Sequence, residues 1–131
     1  MMNILNIDHI VLTCKDIDKT IHFYTDVLGM KEISFGQGRK ALGFGNQKIN
    51  LHPLDNNFVP KALNPTDGSL DLCFIVKENL TDVLQELKQK GIPVIEGIVG
   101  RTGANGLIKS IYIIDPDGNL IELSNYEKKT R

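Results

Sequence analysis

Asp16-Ile17-Asp18-Lys19-Thr20-Ile21-His22-Phe23-Tyr24-Thr25-Asp26-Val27-Leu28-Gly29-Met30 decides the fold, because the chain writes this pattern twice. Asp16 offers a side-chain acceptor to the free amides of a first helical turn. Ile17, Ile21, Tyr24 and Leu28 then recur at helical spacing, and Gly29 stops the run. Asn79-Leu80 to Lys90-Gly91-Ile92 repeats the order, with an apolar stripe of Leu80, Val83, Leu84 and Leu87. Gly29 and Gly91 stand 62 residues apart. A strand precedes each helix at about that offset: Asp8-His9-Ile10-Val11-Leu12, then Leu70-Asp71-Leu72-Cys73-Phe74. Each half closes on a strand with polar groups at alternate positions, Ile49-Asn50-Leu51-His52 and Ile121-Glu122-Leu123-Ser124. The pattern predicts an α+β fold of two βαβββ modules, whose copies pack to bury their apolar faces and leave a cleft for a site.

Outward from these helices, strands are expected at Ile7–Cys14, Lys31–Phe35, Arg39–Phe44 and Gln47–His52, with glycine-bearing turns at Gly36-Gln37-Gly38 and Gly45-Asn46. Pro53 to Gly68 holds three prolines and few periodic apolar positions, which reads as a linker. In the second half, strands are expected at Ser69–Val76, Pro93–Gly97, Ser110–Ile114 and Leu120–Asn125. Asp115-Pro116-Asp117-Gly118 is the turn between the last two. Gly100-Arg101-Thr102-Gly103-Ala104-Asn105-Gly106 reads as a mobile loop. The polar tail Glu127–Arg131 is expected to fray. The expected organisation is one domain over 1–131, with module one at about 5–52, a linker at about 53–68 and module two at about 69–126.

A chain of 131 residues is long enough to bury a core. Its 15 basic and 16 acidic residues form no block of one sign, which argues against nucleic acid or an anionic membrane as partner. No apolar run approaches a membrane span, and the first residues lack the pattern of a signal peptide, so a cytoplasmic location is expected. Cys14 and Cys73 both fall on expected strands and read as buried free thiols.

Side chains alternate between strand faces. If Ile10 and Leu12 pack under the first helix, His9 points to the opposite face. The same parity sets Asn50 and His52 on one face, Asp71 opposite Leu72, and Glu122 opposite Ile121 and Leu123. Charged groups are rarely buried without partners, and a shared divalent cation would satisfy a histidine and carboxylates together. Each residue alone has an ordinary explanation: a hydrogen-bonded structural His9, a surface Glu122, a strand-start cap at Asp71, a solvated His52. Only their joint placement on repeat-related strands points to a metal.

Asp8-His9-Ile10-Val11-Leu12, Phe23-Tyr24-Thr25-Asp26-Val27-Leu28-Gly29-Met30 and Asp115-Pro116-Asp117-Gly118-Asn119-Leu120-Ile121-Glu122-Leu123 together resemble the vicinal oxygen chelate superfamily. That group includes glyoxalase I, fosfomycin-resistance thiol transferases, extradiol dioxygenases and bleomycin-resistance proteins. Gly38-Arg39-Lys40-Ala41-Leu42, Gln47 to Pro53, Arg101-Thr102-Gly103-Ala104 and Ile121 to Tyr126 resemble a small glyoxalase-domain subgroup that includes virulence-associated bacterial proteins. The resemblance implies a glyoxalase-like fold with a cupped mixed sheet, a homodimer, and a divalent metal ion (nickel, zinc, manganese or iron). By position the implied ligands are His9, Asn50, Asp71 and Glu122. Asn50 and Asp71 depart from glyoxalase I, which carries glutamate and histidine there. His52 is therefore a candidate to replace Asn50 as ligand, or to act as base.

The resulting expectation is a metal-dependent lyase or isomerase on a small oxygenated substrate chelated through two vicinal oxygens. Glu122 or His52 would move the proton. Arg39 and Arg101 are candidates for an anionic part of the substrate, Arg101 from a loop that closes over it. Asn50 and Tyr112 are further candidates for substrate contact. The rivals are a thiol transferase, an iron dioxygenase and a metal-free drug- or metabolite-binding protein, the last favoured by the departures at Asn50 and Asp71.

Overall fold

The computed structural model describes residues 1–128. The chain divides into two compact units, Met1–Gly68 and Ser69 onward. The first unit runs β1 (His9–Cys14), α1 (Ile17–His22), β2 (Lys31–Phe35), β3 (Arg39–Phe44) and β4 (Gln47–Pro53). The second runs β5 (Asp71–Ile75), α2 (Leu80–Gln89), β6 (Glu96–Gly103), β7 (Gly106–Ile114) and β8 (Leu120–Tyr126). Their four-stranded sheets have strand orders β1-β4-β3-β2 and β5-β8-β7-β6. In each, the first pair is parallel and the others antiparallel. This is the expected α+β fold of two βαβββ modules.

The repeat holds at the level of register. Val11 pairs with Asn50 in the first unit, and Cys73 pairs with Glu122 in the second. His9 and Asp71 each lie two residues before the strand-one member of that pair. Across the sheet, Ala41 pairs with Asn50 and Tyr112 with Glu122. Asn50 and Glu122 are thus structural equivalents.

Capping follows the local sequence. The Lys19 amide donates to Asp16 Oδ1 at 3.1 Å, and the Thr81 amide to Asn79 Oδ1 at 3.1 Å. After His22 the first helix widens into a π turn over Phe23–Val27, where the Thr25 hydroxyl donates to Ile21 O at 2.7 Å. Gly29 and Gly91 follow the two helices with φ of 71° and 70°, a conformation that costs glycine little. The next amides reach back over the helix ends, Met30 to Tyr24 O and Ile92 to Leu87 O, both at 2.9 Å.

Each unit has its own core. Ile21, Phe23, Tyr24 and Val27 are buried with Leu12, Leu42, Ile49 and Leu51 in the first. Leu80 and Leu87 are buried with Ile111, Ile113, Ile121 and Leu123 in the second. Each such side chain contributes about 1.5–3 kcal/mol by leaving water.

Two sequence expectations are corrected. Gly100–Gly106 is not a loop: it forms the end of β6, a tight turn at Ala104-Asn105, and the start of β7, with Gly103 paired to Gly106. Glycine content signalled flexibility, but the ladder with β7 supplies the pairing that orders the segment. Cys73 is exposed, whereas Cys14 is buried. Of the polar tail, residues 129–131 lie outside those described.

Candidate functional site

In the first unit, strand alternation sets His9, Val11 and Thr13 of β1, Asn50 and His52 of β4, and Ala41 and Arg39 of β3 on one face. Leu12, Cys14, Ile49 and Leu51 take the other. His9 Nδ1 lies 2.8 Å from Asp8 Oδ2, so Nδ1 donates there and Nε2 is the ring nitrogen outside that contact. Asn50 is buried, and its Oδ1 has no hydrogen-bond partner. A buried carbonyl left this way is an acceptor without a donor.

Beyond Asn50 on the same face, Arg39 Nη2 lies 3.0 Å from His52 Nε2. A guanidinium only donates, so the imidazole nitrogen accepts and the ring is neutral with its proton on Nδ1. The arginine carbon Cζ stands 4.9 Å from the Phe35 ring centroid and 4.6 Å from that of Phe58. The Phe58 ring also lies 4.7 Å from the His52 ring. Arg39 Nε is buried without a partner. The rings and a neutral imidazole do not neutralise the guanidinium charge, and Lys48 adds a second cation 4.0 Å over Phe35. Burial, then the charges of Arg39 and Lys61, hold the His52 pKa below its ordinary value.

In the second unit, Glu122 is half-buried and Ser110 Oγ donates to its Oε2 at 2.6 Å. Tyr112 lies directly across the ladder from Glu122. Its hydroxyl accepts from Arg101 Nε at 3.0 Å, and burial pushes the phenol pKa up. Arg101 also donates to Gly100 O at 2.9 Å and lies 3.4 Å from Glu96 Oε1. Asp71 is exposed at the start of β5, two residues before the Cys73–Glu122 pair.

Several expectations for the site change accordingly. His52 is buried rather than solvated, and its Nε2 lone pair is engaged by Arg39, which argues against that nitrogen as a metal ligand. Arg101 stands on a paired strand and not on a closing loop, because β6 continues through it. Ser110, Ser124, Phe35 and Phe58 escaped the sequence reading. Serines on strands carry no signal of their own, and Phe58 sits in a segment without periodicity.

Among the described residues, no group of three or more His, Cys, Asp and Glu side chains stands together to hold an ion. The four family ligand positions divide two to a unit: His9 and Asn50 in the first, Asp71 and Glu122 in the second. Each is of a type that a divalent metal accepts: an imidazole, an unpartnered amide oxygen and two carboxylates. No described helix is long and apolar enough to cross a membrane.

The family model described as Glyoxalase/Bleomycin resistance protein/Dioxygenase superfamily matches residues 6–123. The glyoxalase domain-containing protein RDO1 of Mycosarcoma maydis is 56% identical over 126 residues, covering 96% of this chain and 71% of that protein. The crystal structure of virulence protein STM3117 from Salmonella typhimurium superposes with a TM-score of 0.95 at 58% identity, covering 96% of this chain and 100% of that one. The metallothiol transferase FosB of Staphylococcus epidermidis is 29% identical over 133 residues, covering 99% of this chain and 88% of that protein.

Proposed function

Because this chain belongs to the glyoxalase/bleomycin resistance protein/dioxygenase superfamily, we propose that it is a metal-dependent enzyme of lyase or isomerase type. Its substrate would be a small anion carrying two vicinal oxygens. One observation carries the reading: Asn50 Oδ1 is a buried acceptor without a partner, at the position equivalent to Glu122. Leaving such a group unsatisfied costs about 1–3 kcal/mol, and a cation relieves that cost. The metallothiol transferase FosB, a distant relative, supports metal dependence by its name.

The positions that the family resemblance implies as ligands of a divalent ion (nickel, zinc, manganese or iron) are His9 and Asn50 in the first unit and Asp71 and Glu122 in the second. When bound, such an ion supplies Lewis acidity to a chelated pair of substrate oxygens. Asp8 takes the Nδ1 proton of His9, which makes Nε2 the nitrogen for the metal. Arg39, lying over the Phe35 and Phe58 rings, takes an anionic group of the substrate through its guanidinium. His52 orients that guanidinium in place of a carboxylate, which would neutralise it. Glu122, held at Oε2 by Ser110, accepts or returns the substrate proton. Arg101 and Tyr112 form the polar border beside Glu122. A homodimer is the proposed assembly, as the family resemblance implies.

The test is a calorimetric titration of the tag-free protein with Mn²⁺, Zn²⁺ and Ni²⁺, repeated on His9→Ala and Glu122→Ala. Both variants should keep their far-UV circular dichroism and lose metal binding. Unchanged affinity in both would overturn the proposed ligand set.

A further inference from the structure

Behind Glu122 the second unit holds a row of polar groups that the proposed chemistry does not use. Ser110 and Ser124 are both fully buried. Ser110 Oγ lies 2.6 Å from Glu122 Oε2 and 2.6 Å from Ser124 Oγ, and Ser124 Oγ lies 3.3 Å from Cys73 Sγ. We propose that Cys73, Ser124 and Ser110 form a one-way hydrogen-bond chain that positions the Glu122 carboxylate. The proposal rests on Glu122 being the working carboxylate of the site.

The direction follows from counting protons. A carboxylate only accepts, so Ser110 spends its single hydroxyl proton on Oε2. Ser110 must then accept from Ser124, whose own proton is thereby committed. Ser124 can accept only from the remaining donor, the Cys73 thiol. Every donor points toward Glu122, and each bond polarises the next. The 2.6 Å separation at the carboxylate end is that of a charge-assisted O–H···O⁻ bond.

The fold does not itself demand these hydroxyls. Register equivalence sets Ser110 and Ser124 at the positions that Arg39 and His52 hold in the first unit. There the same cross-strand pair is cationic and leaves Asn50 Oδ1 without a partner; here it is neutral and grips the equivalent Glu122. The consequence is a carboxylate held at Oε2 by the buried serines, with the Tyr112 hydroxyl as a further hydrogen-bonding neighbour. Ser110, Ser124 and Cys73 are positioning residues, with influence that weakens along the chain away from Glu122.

The test pairs crystal structures with Mn²⁺ titration for S110A, S110T, S124A, C73A and C73S. In S110A the Glu122 carboxylate should leave its single position, and Mn²⁺ affinity should fall by about tenfold or more, as for other supports of metal ligands. S124A should show the same displacement to a smaller degree, and S110T, which keeps the hydroxyl, should resemble the parent. C73A should loosen Glu122 least, with C73S restoring the parent structure through its O–H donor. An unmoved Glu122 in both S110A and S124A would overturn the chain. If the parent protein binds no Mn²⁺, the metal reading falls, and the position of Glu122 in the same crystals still decides the chain. Should S110A not fold, S124A and S110T carry the comparison.

Discussion

Arg39 donates to the Nε2 of His52 across 3.0 Å, and in doing so spends the nitrogen on which a metal or a proton would otherwise settle. The pair sits one alternate step beyond Asn50, as Ser110 and Ser124 sit one step beyond Glu122. One scaffold position thus carries opposite chemistry in the two modules. The first presents a cation near an empty acceptor, the second a clamped anion.

His52 gives the protein a definite pH dependence. Its folded pKa is depressed by burial first and by Arg39 and Lys61 next, while the unfolded value is about 6.5. The unfolded chain therefore binds the extra proton first, so stability from this group is present above about pH 6.5 and is lost as pH falls below it. His52→Gln keeps an acceptor for Arg39 without titrating. The slope of Tm against pH just below about 6.5 should be shallower in this variant than in the parent. Equal slopes would assign the acid sensitivity elsewhere.

Arg39→Ala removes two cation–π contacts of about 0.5–1 kcal/mol each and one hydrogen bond of about 1 kcal/mol. A loss of about 1.5–2.5 kcal/mol in urea unfolding is expected, lessened by repacking of Phe58. Arg39→Lys should not rescue it, because a compact ammonium lacks the planar group that lies over both rings while donating to His52. Full rescue by lysine would show that charge, and not planarity, matters here.

Asn50→Leu should separate stability from function. Replacing a buried amide whose oxygen has no partner by an apolar group of similar size removes a desolvation cost of about 1–3 kcal/mol. The metal-free variant should therefore melt at or above the parent temperature, yet gain no stabilisation from divalent ions. A marked drop in the metal-free melting temperature would mean that the amide is structurally satisfied.

Gly97 marks where β6 closes on β7. A Cβ there would lie 2.6 Å from Ile111 Cγ2 and 2.8 Å from the Ser110 carbonyl oxygen, at a φ of 134° that disfavours any side chain. Gly97→Ala should cost about 3 kcal/mol, within the range of overpacking and strain combined. Gly100→Ala, with nothing within 4 Å of the added carbon, should stay within about 0.5 kcal/mol of the parent. Equal effects would contradict the close approach of the two strands.

Much of the fold was legible because its signals are local. Asp16 and Asn79 cap where their side chains predict, and the strands Lys31–Phe35 and Arg39–Phe44 begin and end where the sequence places them. The hairpin through Gly103 and Gly106 was not, since its order comes from pairing with a neighbour and not from its own composition. Parity placed Asn50 with His52 on one face, but not their fates. That Asn50 lacks a partner while His52 has one depends on the long reach of Arg39. The two serines behind Glu122 were invisible for the same reason: a hydroxyl acquires meaning only from the atom 2.6 Å away.

The most direct test of the metal-dependent reading is the metal content of the full-length protein, purified without chelator or affinity tag and measured by mass spectrometry. About one tightly held divalent ion per chain is expected, lost in His9→Ala and in Glu122→Ala. Parent protein that stays metal-free after exposure to Mn²⁺, Zn²⁺, Ni²⁺ and Fe²⁺, with no rise in melting temperature, would contradict the account and make the Arg39 face a metal-free binding surface.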